Sequence, residues 1–154
     1  MVARSITGWT AAALAMACGV GVPLLAAPAN IVATRIAGFR EVGAAFKNIN
    51  DELRSGSPQT YVIQISARQI RDYARQHYGW FPAGSGPKPG VKTAAKPEIW
   101  TQAAAFKAAQ DGFAKQANAF ATVAGSGDVA KMRAQAKALG QSCTTCHRSF
   151  RVEP

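Results

Sequence analysis

Cys143, Thr144, Thr145, Cys146 and His147 form a C-x-x-C-H run, the spacing used for covalent attachment of a c-type haem. The chemistry accounts for the spacing. On a helix, residues i and i+3 share a face, so two thiols can reach the two vinyl groups of one porphyrin and close two thioether bonds. The histidine that follows can place an imidazole nitrogen under the iron. The expected cofactor is therefore one covalent haem c, with His147 as the axial iron ligand. Cysteine pairs also serve other chemistry. A redox dithiol uses C-x-x-C, usually at the start of a helix in an α/β fold, where the thiol pKa is lowered. A metal site needs a third and a fourth ligand, and His77 is the only other obvious donor. In an oxidising compartment a bare pair tends to become a disulfide.

The thiols need an element that holds them one turn apart, and the sequence supplies helices. Its 154 residues suit one domain. It is 48% hydrophobic with only 8% aromatic residues, and Ala is the commonest residue, which favours helix and argues against a β-sandwich. Three cysteines are too few for a disulfide scaffold, and the apolar content is too high for disorder. Four segments carry helical periodicity. In the first, Val32, Arg35, Phe39, Val42, Phe46, Ile49 and Leu53 alternate spacings of 3 and 4. Ser57 as N-cap and Pro58 at the first helical position open the second, which runs to about Tyr78. Its seam is Ile63, Ala67, Ile70 and Ala74, with His77 as a further candidate. Residues 79–96, dense in Pro and Gly, make a long connection over one end. A third helix starts with Pro97 at its first position and runs along Ile99, Ala103, Phe106, Gln110, Phe113, Ala117 and Phe120. After a turn at Gly125, Ser126, Gly127 and Asp128, the fourth runs along Val129, Met132, Ala136, Leu139, Cys143, Cys146 and Phe150. No strand is expected. Four helices of this length predict an all-α, antiparallel four-helix bundle. Both cysteines fall on the apolar seam, so the haem is expected inside it.

Residues 1–29 read as a secretory leader. Arg4 is the only charge before Arg35, an apolar run covers residues 11–27, and Ala27, Pro28 and Ala29 fit a small-x-small cleavage site. Gly19, Gly21 and Pro23 break the run, so no permanent membrane anchor is expected. The expected division is a signal peptide over 1–29 and a haem domain over 30–154, exported to the periplasm. Cys18 leaves with the leader. The formal charge of the full chain is +10. The lysines are dispersed along the sequence with no aromatic platform or recognition motif, so nucleic acid is not expected as a partner. A basic face would suit an acidic redox partner.

The chain from about residue 31 to 151 resembles the class II c-type cytochromes, the cytochrome c′ family. The likeness rests on Arg35 four before Phe39 and eleven before Phe46, on Lys96-Pro97-Glu98-Ile99-Trp100, on Ser126-Gly127-Asp128, and on the haem motif with Phe150 and Arg151 close behind. The motif near the C-terminus, behind three helices, separates this class from class I cytochromes, which carry it near the mature N-terminus. The resemblance implies a bundle holding one haem, with Arg35 paired to a propionate and Ile36, Phe39, Trp80, Phe150 and Arg151 around the pocket. Phe39 would lie over the distal face and Arg151 beside the proximal one. Each has a plainer reading: a snorkelling arginine, core aromatics, and a cation at a helix C-terminus. Homodimers through the first two helices are also common in the family.

The expected function is binding of small diatomic gases, electron transfer, or both, without enzymatic turnover. Among the methionines, Met1 and Met16 lie in the leader, and Met132 precedes His147 by fifteen residues, about 22 Å along one helix. None can cross to the distal face. The iron is therefore expected to be five-coordinate and high-spin, with nitric oxide and carbon monoxide entering only past Phe39. The alternatives are a low-spin electron carrier with a non-Met sixth ligand, His77 being the candidate, and a dithiol-disulfide oxidoreductase.

Overall fold

The computed structural model describes residues 28–152. Residues 1–27 of the expected leader, with Arg4, Cys18 and two of the three methionines, lie outside the described residues, while Pro28 and Ala29 of the expected cleavage site fall inside the first helix. The elements are α1 (Pro28–Arg54), α2 (Thr60–Gln76), a short 3-10 turn (His77–Trp80), α3 (Glu98–Thr101), α4 (Ala103–Gly125) and α5 (Val129–Phe150). The four long helices form an antiparallel bundle. Among the described residues there is no strand, only a single bridge pairing Ala95 with Arg151. No described helix is long and apolar enough to cross a membrane.

Three boundaries differ from the sequence expectation, each for a local reason. Helix α2 starts at Thr60, not Pro58, because Gln59 is extended (φ −82°, ψ 92°) and its N–H donates to Glu52 Oε2 at 2.8 Å. Ser57 and Pro58 belong to the connection. The expected third helix is two. Pro97 sits before the first helical residue, and the chain breaks at Gln102 (φ −120°, ψ 48°). The break lets Ile99 pack against Ala95, Phe106 and Phe150 while the Trp100 indole N–H donates to Pro82 O at 3.1 Å. Ala103, expected in the core, is exposed as a result. Finally, α2 tightens at His77 into the 3-10 turn, which turns His77 and Trp80 inward. Helix α5 starts as its sequence predicts, with the Asp128 carboxylate accepting from Lys131 N–H at 3.0 Å.

Two apolar clusters make the interior. The larger runs along Val42, Ile49, Ile63, Ile70, Phe113, Phe120, Met132 and Leu139. The smaller joins Ala95, Ile99, Phe106 and Phe150 at one end. Helix α1 packs on α2, α2 on α4 and α4 on α5, whereas α1 and α5 touch sparingly, so the ring of helices has one loosely closed side. The connection over 81–97 caps that end. It is tied to the end of α5 by Lys96 N–H to Phe150 O (3.0 Å) and Val152 N–H to Ala94 O (2.8 Å).

Candidate haem site

Helix α5 holds Cys143 and Cys146 one turn apart, both half-buried and both free thiols. Cys143 packs against the larger cluster and Cys146 against the smaller. The pair therefore sits where the two cores meet, beside the loosely closed α1/α5 side. Burial raises the pKa of both thiols, and Cys143 adds a smaller repulsion that helps push Cys146 up to about 11. Both are neutral thiols at physiological pH. A dithiol oxidoreductase needs the opposite, a stabilised thiolate. His147, the next residue, is exposed. Partial desolvation, with Arg151 adding to it, holds its pKa below the ordinary histidine value. A neutral imidazole is the form that ligates iron. Among the described residues no group of three or more His, Cys, Asp or Glu could hold a bare metal ion. A porphyrin brings four nitrogens of its own, so one protein ligand suffices.

At the same end of the bundle, α1 contributes Arg35, Ile36 and Phe39. Phe39 is half-buried and meets Trp80 edge-on at 5.0 Å and Phe81 at 6.2 Å. Phe81 continues to Phe106 (4.8 Å) and Phe106 to Phe150 (5.1 Å). An aromatic wall thus links α1, the 3-10 turn, α4 and the end of α5. Ile36 is half-buried on the same helix, and Arg151 is exposed just past α5.

Arg35 is not a snorkelling surface residue, since only 3% of it is exposed. Its Nη1 donates to Trp80 O (3.3 Å) and Ser85 Oγ (3.4 Å), and its Nη2 to Ser85 O (3.2 Å) and Thr93 Oγ1 (2.8 Å). The guanidinium also lies over the Phe81 ring at 4.7 Å. Every one of these partners is neutral, and no described carboxylate pairs with Arg35. Desolvation accordingly lowers its pKa. A buried cation without a counter-ion is costly, and an acidic group on a bound cofactor would supply the missing charge. The site therefore fits a haem: paired thiols, an exposed neutral imidazole, an aromatic wall, and a buried arginine in want of an anion.

His77 lies outside this arrangement. It is buried, its Nδ1–H donates to Ala74 O at 2.8 Å, and its ring stacks edge-on against Phe113 at 5.4 Å. Trp80 touches both His77, with ring centroids 6.4 Å apart, and Phe39. Sequence reasoning missed four contributors. Phe81 was visible only as a neighbour of Trp80. Ser85 and Thr93, which hold Arg35, carry no signal in a loop rich in small residues. Gly38 is buried against the Trp80 ring, and its only signal was a glycine beside Phe39.

Comparison with known proteins agrees with this geometry. A family model described as cytochrome c′ matches residues 30–151. A curated cytochrome c′ from Rubrivivax gelatinosus is 38% identical over 68 residues, covering 44% of this chain and 53% of that protein. The aligned part of the chain thus spans about half the length of the curated relatives it matches. Two solved structures superpose over nearly all of their own length. A cytochrome c′ with an unusual ligand-controlled dimer dissociation has a TM-score of 0.77 at 24% identity, covering 82% of this chain and 97% of that one. A nitric oxide complex of a mutant cytochrome c prime from Alcaligenes xylosoxidans has a TM-score of 0.76 at 25% identity, covering 84% and 98%. The chain belongs to the cytochrome c′ family, whose cofactor is a covalently attached c-type haem.

Proposed function

We propose that this member of the cytochrome c′ family is a periplasmic haem protein, exported by residues 1–29, that binds small diatomic gases and exchanges single electrons without turning over a substrate. Cys143 and Cys146 hold the haem through thioethers, His147 ligates the iron, and Arg35 meets a propionate. Ile36, Phe39, Trp80, Phe150 and Arg151 surround it. The haem supplies a redox-active iron with a position for a gas. The chain's own residues decide who reaches that position. The nitric oxide complex of a relative supports the gas-binding part of this reading.

One observation carries the coordination state. The rings of the aromatic wall, Phe39, Trp80, Phe81, Phe106 and Phe150, offer no atom that ligates iron. Phe39 leans on Trp80 and Phe81. His77 has one ring nitrogen committed to Ala74 and its ring packed edge-on against Phe113. Met132, the one methionine among the described residues, is fully buried in the larger cluster. The iron is therefore five-coordinate and high-spin. Absorption and paramagnetic resonance of the purified ferric protein test this. High-spin ferric signals are expected, while a pure low-spin spectrum refutes five-coordination and points to His77. A Soret band that survives acid-acetone extraction tests the covalent attachment separately.

A further inference from the structure

The basic residues that look dispersed in sequence gather in space around the haem end. No acid occurs between Asp72 and Glu98, nor between Asp128 and Glu153. The fold brings those two stretches together, because the bridge between Ala95 and Arg151 lays the loop along the end of α5. Lys96 Nζ donates to the backbone carbonyl of Arg148 at 3.1 Å, which brings the loop's lysine to the end of α5. Lys92 lies beside Thr93, the residue that holds Arg35. Lys137 and Arg148 line one cleft between α5 and Phe46 of α1. Lys92, Lys137, Arg148 and Arg151 are exposed, and none of them joins an ion pair among the described residues. The ion pairs that do form lie elsewhere on the helices and use Lys47, Arg54, Arg71, Arg75, Lys107 and Lys131. Within this basic rim sits an exposed apolar residue, Val152, at 50% exposure. Glu98 is the one acid close by in sequence, and one of its carboxylate oxygens is buried without a partner rather than turned to the surface.

We propose that this face, with Lys92, Lys96, Lys137 and Arg148 around Val152, docks an acidic electron-transfer protein. The inference rests on the reading of the chain as a haem protein that exchanges electrons, and it names the partner of that same site. The unpaired cations attract an acidic surface over a distance and orient it, as complementary charge does in other encounters. The exposed valine gives the docked pair a small dry contact. In the exchange one electron leaves the reduced protein and reduces the partner's oxidised centre, and no atom is transferred.

The test uses the haem-loaded mature protein in stopped-flow reoxidation. Two acceptors of opposite charge, hexacyanoferrate(III) and tris(phenanthroline)cobalt(III), report the local field, and an acidic plastocyanin reports protein docking. The anionic acceptor and the plastocyanin are expected to react faster at low ionic strength and to slow as salt rises. The pair Lys92→Glu and Arg148→Glu should slow both by roughly tenfold at low salt and speed the cationic acceptor. The pair Arg68→Glu and Lys115→Glu changes net charge equally on exposed, unpaired positions of α2 and α4 and should change little. Equal slowing by both pairs, or rates blind to salt and acceptor charge, overturns the docking face while leaving the redox haem standing. Failure of the reduced protein to be reoxidised by either inorganic acceptor instead sinks the electron-exchange reading itself. Binding of the parent to phosphatidylglycerol vesicles that the Lys92→Glu and Arg148→Glu pair loses, with plastocyanin rates unaffected, overturns the proposal in favour of a membrane surface.

Discussion

At the scale of single residues, Phe39 and His77 carry separable predictions. Phe39 packs on two aromatic neighbours, so it cannot swing aside freely when a gas arrives. Truncation to Ala removes the block, and carbon monoxide should then bind the ferrous protein faster than in the parent. Phe39→Met puts a sulfur where the ring was and should move the ferric spectrum toward low spin. Flash photolysis and room-temperature absorption read the two outcomes, and unchanged rates in Phe39→Ala would place the residue away from the iron. His77 governs acid stability. Burial holds its pKa below the ordinary value, against smaller upward pulls from the Ala74 carbonyl and Asp111. Above about pH 6.5 the ring is neutral in folded and unfolded chains alike. As pH falls through that value the unfolded chain takes up the proton first, so stability drops with pH until the lower folded pKa is passed. His77→Phe keeps the edge-on contact with Phe113 but binds no proton. Its thermal midpoint should fall less between about pH 7 and pH 5 than that of the parent, and equal slopes would clear His77 of the effect. These two roles were unequally legible. The cysteines and His147 announce themselves by type and spacing, and Phe39 by its place on a seam. That Arg35 is buried against Ser85 and Thr93 follows from how a loop folds back, which no periodicity records.

At the scale of elements, helical periodicity located the four long helices because each buries one stripe, and a stripe of this kind can be read from spacing alone. It failed where the chain changes direction for reasons outside the stripe. The break at Gln102 serves the docking of Ile99 and Trp100 on the crossing loop. The 3-10 turn at His77–Trp80 delivers Trp80 to α1. The close approach of that turn to α1 depends on one glycine. A methyl group on Gly38 would overlap the Trp80 ring, while one on Gly43, five residues along the same helix, would meet nothing within 4 Å. The same substitution should therefore have opposite signs. Gly43→Ala gains helix propensity and should stabilise by up to about 1 kcal/mol. Gly38→Ala must push the indole and Phe39 aside, and overpacking of this kind costs about 1–3 kcal/mol. Denaturant midpoints of the two variants decide it. A Gly38→Ala protein as stable as Gly43→Ala would show that the turn can retreat from α1 without loss.

At the scale of the whole molecule, the bundle distributes its faces unevenly. The inward faces are apolar and the haem end is basic, but α2 also shows solvent an apolar strip, with Tyr61 at 69%, Ile65 at 44% and Val62 at 36% exposure. Tyr61 and Ile65 are one turn apart and present a single surface. Exposed apolar side chains scattered singly need no partner, but a contiguous group on one helix does. A two-fold pairing of α1 and α2 with their copies would cover it, since such an interface uses the same patch twice. The strip lies on α2, whereas the basic rim belongs to the loop and α5. A stable interface of ordinary size buries about 800 Å² on each partner, more than three side chains provide, so neighbouring surface of α1 must join it. Replacing Tyr61 and Ile65 by Lys sets like charges across the two-fold axis and removes the apolar contact. Sedimentation equilibrium should then find the parent as a dimer and the double variant as a monomer at the same concentration, with unchanged haem spectra. A parent that sediments as a monomer at high concentration would mean that the strip is left to solvent, and a variant that remains dimeric would place the interface on another face of the bundle.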